Sequence, residues 1–303
     1  MDIEPFKRAA VRIANRHQVP NDSLNLFPDG SNIIFAHGSH QVIKIFPALL
    51  KDQFDSERLV LKHLQHRLAI STPSLEYSGE FEGWPYLIMS RVEGETLESL
   101  WVNLPFENKL TLIQEIGSLI KEVHSLGTLG LEPIDSSWEK FIENQISLCV
   151  ERHRANHLKK QLLSELPDFL KTARKILPPS IAPVLLTGEY TPFNLLAKRV
   201  NGRWTLSGMI DFGYCMLGFR EYDLLGPGAF LIQGDKTLLR AFPLSYGYVP
   251  KELNSDLSHR LTALMLLHRF SNLRIQLRVP DWETKVTSLE DLLNLVWGLG
   301  LKD

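Results

Sequence analysis

The periodicity of the apolar residues changes character near residue 97, and this limits the fold more than any other feature of the chain. From about residue 24 to 90 the apolar residues come in short runs, LNLF, NIIFAH, QVIKIF, SLEYSG and PYLIMS, as strands do. One helical stretch interrupts them, DQFDSERLVLKHLQHRL from Asp52 to Leu68. Ahead of them Phe6, Ala10, Ile13 and Ala14 recur at helical spacing, which predicts a short amphipathic N-terminal helix. The segment SRVEGETL, Ser90–Leu97, breaks the strand pattern with charges and Gly94 and marks a boundary. Beyond it Ile113, Ile116, Ile120 and Val123 line one face of a helix that ends near Gly127. A further helical stretch runs from about Trp138 to Leu177, broken near Pro167 and stopped by Pro178-Pro179. Then come PVLL, NLLAKRV and RWTLSGMI, with Asn201-Gly202 as a hairpin turn, and from Leu238 the pattern is helical again. The expectation is an α+β chain: a small antiparallel-sheet N-terminal lobe with one helix over 1–90, and a larger, mostly helical lobe over 91–303.

Composition removes several classes of function. The 303 residues are 44% hydrophobic and 22% charged, ordinary material for a packed core, and the formal net charge is −2. No overall field argues for nucleic acid or a membrane surface. The two cysteines, Cys149 and Cys215, have no metal-ligand or disulfide spacing, so a reducing, cytoplasmic setting is expected. No run approaches the roughly 18 apolar residues of a membrane span, and the N-terminus has no signal-peptide pattern.

Two constellations carry chemistry. In the first, Glu57, Leu61, Leu64 and Leu68 stand at i, i+4, i+7 and i+11, so a carboxylate shares a helix face with three leucines and needs a partner. The preceding strand VIKIF offers Lys44, either a solvated edge residue or one aimed at an anion. A strand lysine followed by a helix glutamate matches the kinase arrangement that fixes nucleotide phosphates. The upstream segment FPDGSNIIFAHGSHQ, with Gly30 and Gly38, reads equally as an ordinary turn or as backbone shaped for phosphate. In the second constellation, LLTGEYTPFNLL sets Glu189 five residues before Asn194, and SGMIDFG follows after the hairpin with Asp211. An asparagine amide and an aspartate carboxylate are hard oxygen ligands for a divalent metal on a triphosphate, and a further carboxylate could orient or deprotonate a hydroxyl.

In this order Lys44, Glu57, Glu189-x4-Asn194 and Asp211 resemble the aminoglycoside phosphotransferase family, whose fold is protein-kinase-like and two-lobed. The family loop reads H-G-D-x-x-x-x-N, here T-G-E-Y-T-P-F-N; I-D-F-G matches its I-D-[WF], and GFREYDLLGPG its G-x-x-x-x-D-L. The wording LSGMIDF is closer to hygromycin-phosphotransferase-like members than to kanamycin-type ones. The resemblance implies that Lys44 holds the phosphates of ATP or GTP with Glu57 positioning it, that Asn194 and Asp211 hold Mg2+, and that Glu189 meets the acceptor hydroxyl. It implies further that the backbone of Met89, Ser90, Arg91 and Val92 binds the adenine edge and that Asp223 braces the catalytic loop. The implied acceptor is a small molecule, an aminoglycoside or a related sugar-containing natural product. Nucleic acid and membrane are not expected as partners.

Two family positions differ. Thr187 replaces a scaffold histidine, and Glu189 replaces the catalytic aspartate. Their basicities are close, differing by about 0.4 pKa units. Reach is the issue, because a misplacement of roughly 1 Å can cost on the order of 100-fold. Either the loop backbone sits farther back, or the chain is a nucleotide-binding pseudokinase with a regulatory or binding role. Only ten positions separate Asp211 from Glu221, too few for the long activation segment of a protein kinase. Candidates for recognising a polycation are Asp281, Glu283, Glu290 and Asp291. Arg152, Arg154, Lys159 and Lys160 form a basic group on the middle helix. Solvated faces are the simpler reading of both sets.

Overall fold

A computed structural model describes residues 3–19, 24–27, 32–178 and 181–300, apart from the side chain of Ala173. The turn around Gly30 lies outside these residues. The chain divides into two compact units, Met1–Gly94 with Ser207–Cys215, and Glu95–Leu206 with Met216–Asp303. The fold class is the α+β one expected, but no single division of the chain gives the first unit, because Ser207–Cys215 returns to it.

The first unit is a five-stranded sheet, β1 (Leu24–Phe27), β2 (Ile33–His37), β3 (Gln41–Ile45), β4 (Leu75–Phe81) and β5 (Trp84–Ser90), in the order β1-β2-β3-β5-β4. All neighbours are antiparallel, and β3 is the central strand. The N-terminal helix α1 (Glu4–Arg16) packs Phe6, Ala9, Ala10, Ile13 and Ala14 against Phe35, Ile43, Ile45, Tyr86 and Ile88. These sheet residues alternate along their strands, so they share one face and free the other for the side chains between them. The second helix, α2 (Lys51–Leu64), is shorter than the sequence pattern suggests. Gln65 turns extended and His66 takes φ +57°, so Leu68 lies beyond the helix while Glu57, Leu61 and Leu64 are buried on it.

The second unit contains a short strand β6 (Glu95–Thr96) and the helices α3 (Leu97–Leu100), α4 (Phe106–Ser125), α5 (Trp138–Ala155) and α6 (Lys160–Ile176). Strands β7 (Val184–Leu186), β8 (Leu195–Val200) and β9 (Arg203–Met209) follow, then β10 (Met216–Gly218), which pairs antiparallel with β7. Asn201 at φ +51° and Gly202 at φ +81° form the expected turn between β8 and β9, and the last residues of β9 belong to the first unit. The remaining helices are α7 (Leu225–Pro227), α8 (Lys236–Tyr246), α9 (Ser255–Leu267), α10 (Leu273–Gln276), α11 (Trp282–Lys285) and α12 (Leu289–Trp297). From Leu261 to Leu267 α9 is buried all round, as the central helix of a bundle must be.

The break in the middle helical stretch is not at Pro167, which sits inside α6. It comes at His157, φ +57°, where the Leu158 amide donates to the His153 carbonyl. A left-handed residue closed by such a bond ends a helix with its carbonyls satisfied. Among the described residues no helix is long and apolar enough to cross a membrane.

Candidate functional site

The first unit gathers three charges, two of them almost wholly out of water. Lys44 lies on the central strand between Ile34 of β2 and Leu87 of β5, so it is not an edge residue. Its Nζ donates to Glu57 Oε2 at 2.6 Å and to Asp211 Oδ1 at 2.9 Å. The side chains of Lys44 and Glu57 are 3% and 2% exposed, whereas Asp211 is 36% exposed. Ser56 Oγ donates to the carbonyl of Phe212, and the fully buried Phe212 ring anchors the turn. Asp211 itself takes φ +67°, a conformation few side-chain-bearing residues adopt and one that functional sites often retain.

One ammonium shared by two carboxylates sets the electrostatics. Burial disfavours the Lys44 charge, but Glu57 and Asp211 more than compensate and hold its pKa above the ordinary range. Burial pushes Glu57 up to about 7; Lys44 opposes this shift and the Asp211 charge adds to it. Burial also works to raise Asp211, yet the Lys44 ammonium and the Gly213 amide leave it below the usual carboxylate range. Both hydrogen bonds to Asp211 end on Oδ1, and its side chain is the most exposed of the three.

The residues expected to meet a base edge follow in β5 and just after it. Met89 is buried and pairs with Val42. The amide of Ser90 donates to the Ser74 carbonyl and that of Arg91 to the His40 carbonyl, so neither remains to bind a base. The Arg91 guanidinium lies over the Phe27 ring at 5.8 Å, and Val92 is buried.

In the second unit the loop after β7 hangs on Asp223. Its carboxylate accepts from the amides of Thr187 at 3.0 Å and Gly188 at 2.7 Å, and from His124 Nε2 at 3.1 Å. Tyr246 contacts the other ring nitrogen of His124 at 2.9 Å. Thr187 is fully buried, and its hydroxyl accepts from the Glu189 amide. The loop then closes on itself, the Thr191 amide on the Glu189 carbonyl and the Asn194 amide on the Thr191 carbonyl. Asn194 Nδ2 donates to Glu189 Oε2 at 3.1 Å. With its nitrogen so committed, the asparagine keeps Oδ1 as a hard oxygen ligand. Gly226 matters here for space, since a Cβ on it would lie 2.5 Å from the Tyr190 carbonyl oxygen and push the loop aside.

Beside Glu189 is a cavity of about 140 Å³ within this unit, walled by Tyr222, Leu225, Phe230, Met265, His268 and Phe270 among others. Nothing in the chain's periodicity pointed to these residues, which come from three separate segments. The acidic candidates do not line the cavity. Glu283 pairs with Arg274, Asp291 caps α12 through Thr287 and Ser288, Glu290 is exposed near His259, and Asp281 is exposed. The basic group is likewise dispersed: Arg152 donates to Gln145, Arg154 pairs with Glu151, Lys159 donates to the Val286 carbonyl, and Lys160 is exposed. Both cysteines are buried, and burial pushes the Cys149 thiol up to about 11.

Among the described residues no group of three or more His, Cys, Asp or Glu forms a protein-only metal cage. The Asp211 carboxylate is a hard oxygen ligand of the kind that suits an ion such as Mg2+, which keeps waters and takes phosphate oxygens besides one or two protein ligands.

A profile of the phosphotransferase enzyme family, APH, matches residues 30–250. Among solved structures, the GDP and kanamycin complex of APH(2'')-IIIa has a TM-score of 0.70 at 18% identity, over 95% of this chain and 97% of that one. The streptomycin–ATP ternary complex of APH(2'')-IIa gives 0.59 at 17% identity, over 85% and 89%. APH(3'')-Id from Streptomyces rimosus gives 0.62 at 14% identity, over 88% and 99%. At such identities the structural likeness is one of fold.

Proposed function

The chain belongs to the phosphotransferase enzyme family, and from that premise we propose that it transfers the γ-phosphoryl of ATP or GTP to a hydroxyl of a small molecule, a sugar-containing natural product in the class that includes aminoglycosides. The observation that carries this reading is Lys44, buried in the central strand between Glu57 and Asp211. Replacing a buried charge cluster with apolar residues is often neutral or stabilising, so a fold that keeps three charges there is keeping them for use. Glu57 holds the ammonium in place, and the phosphates of the nucleotide are its natural second partner when Asp211 turns to another ligand.

Asp211 would hold Mg2+, which when bound would neutralise phosphate charge. Glu189 accepts the proton of the acceptor hydroxyl as the new O–P bond forms and the bond to the β-phosphate bridging oxygen breaks. Phosphoryl transfer asks little of the base beyond position, and the Asn194 amide supplies position by holding the Glu189 carboxylate. That contact supports the longer side chain as a working member of the loop.

Thermal shift with ATP or GTP, with and without Mg2+, together with a coupled ADP or GDP release assay over an acceptor panel, tests the reading. Nucleotide stabilisation that needs Lys44 and Asp211, and turnover that needs Glu189, are the expected results. Binding without transfer to any acceptor and without hydrolysis would make the chain a nucleotide-binding regulator instead.

A further inference from the structure

Helices α4 and α8 of the second unit run side by side in one direction and touch along their C-terminal halves. A Cβ on Gly117 would lie 2.7 Å from the Phe242 carbonyl oxygen, and farther on Tyr246 meets His124 at 2.9 Å. Through His124 this helix pair braces Asp223 behind the loop. Toward their N-terminal ends the helices part around a cavity of about 700 Å³, against about 140 Å³ beside Glu189, and the two cavities share no lining residue. Leu110, Leu239, Leu244, Leu253 and Leu299 give the larger cavity an apolar wall. Lys236 and Arg240 are the only charged groups among the described residues that line it.

These two cations are placed against the interest of their own helix. Lys236 is the first residue of α8, and Arg240 stands one turn on along the same face. The positive end of a helix repels a cation in its first turn, and like charges at i, i+4 repel each other. Neither side chain has an ion-pair partner among the described residues. Asp235 caps the helix by accepting the Leu238 amide at 2.9 Å. Its single charge cannot offset both cations, and it does not line the cavity. An anion seated in the cavity relieves both repulsions. The Arg240 fork suits a carboxylate or phosphate bidentately, and the Lys236 ammonium adds a point charge. A volume within roughly 300–1,000 Å³, mostly apolar walls and a few polar groups are the usual make-up of a small-molecule site.

We propose that this cavity is a second ligand site, separate from the one beside Glu189, for an organic anion whose carboxylate or phosphate head meets Lys236 and Arg240 and whose apolar body lies along the leucines. The site stands on its own residues, whether or not the chain transfers phosphate. Calorimetry on the full chain would compare octanoate, octyl phosphate and octylamine, matched in chain length, with inorganic phosphate. Both anionic amphiphiles should bind about ten-fold or more tightly than octylamine, which meets like charge, and than inorganic phosphate, which has no apolar body. The tighter of the two identifies the head group. Lys236→Glu combined with Arg240→Glu changes two exposed positions. It should weaken both anions about ten-fold or more and turn the preference toward octylamine, with the melting temperature little changed. Ala241→Phe, which fills the cavity and keeps its charge, should weaken both anions as well. Octylamine binding as tightly as the anions, no binding of either anion, or affinities unmoved by these substitutions would overturn the proposal.

Discussion

The two units place their candidate functional groups by opposite means. In the first, charges hold one another: Lys44, Glu57 and Asp211 form an ion cluster whose inner members are almost wholly out of water. In the second, the backbone is held: Asp223 grips two consecutive amides of the loop, and Glu189 remains half-exposed at its tip. A cluster of mutually compensating charges is sensitive to the loss of any member. A loop anchored from behind can lose its tip residue and keep its shape. Stability and activity should therefore be coupled at the first site and separable at the second.

The largest effect should come from Lys44→Ala, which strands Glu57 beside Asp211 with no cation. It should cost about 3–5 kcal/mol of stability and all measurable turnover, read by denaturant melts and the coupled assay. Glu189→Ala is the counterpart at the tip. Turnover should fall roughly 10²- to 10⁴-fold, with nucleotide affinity and melting temperature little changed. A destabilised Glu189→Ala or a stable Lys44→Ala would break the contrast between the two sites. Gly226→Ala sharpens it from behind the loop: overpacking against Tyr190 should cost about 1–3 kcal/mol and lower kcat while leaving nucleotide affinity unaltered.

The smallest effect is in the pH dependence. Glu57 has a folded pKa of about 7, above its unfolded value of 4.5. The folded chain therefore keeps a proton that the unfolded chain has released between those values. Stability from this group is fully present below about pH 4.5 and is lost as pH rises through 7, at no more than about 1.4 kcal/mol per pH unit. Glu57→Gln should flatten that slope in urea melts across the window. Asp211 has the opposite sign: its lowered pKa contributes stability above its ordinary range that is lost as pH falls below it. A wild-type profile flat between pH 5 and 7 would remove Glu57 as the titrating group.

Much of this was legible in the residue order. A lysine alternating with apolar residues in VIKIF and a glutamate on a leucine face each demanded a partner, since neither charge can be buried alone. The loop motif placed Glu189 and Asn194 five apart, and an Asn-Gly pair between apolar runs marked the hairpin. The extent of the helices was less legible. Leu68 and Pro167 misled because left-handed turns at His66 and His157, which carry no glycine or proline, ended those helices first.

By itself the sequence determined which chemical groups exist and which element carries each, because period, turn chemistry and charge are local properties. Tertiary structure alone decided that Lys44 is central and not at an edge. It also decided that Lys44 holds Asp211 from 167 positions away, and that the space beside Glu189 is walled by aromatic side chains. Those are properties of what lies across a gap, and a chain only acquires them when distant segments exclude the water between them.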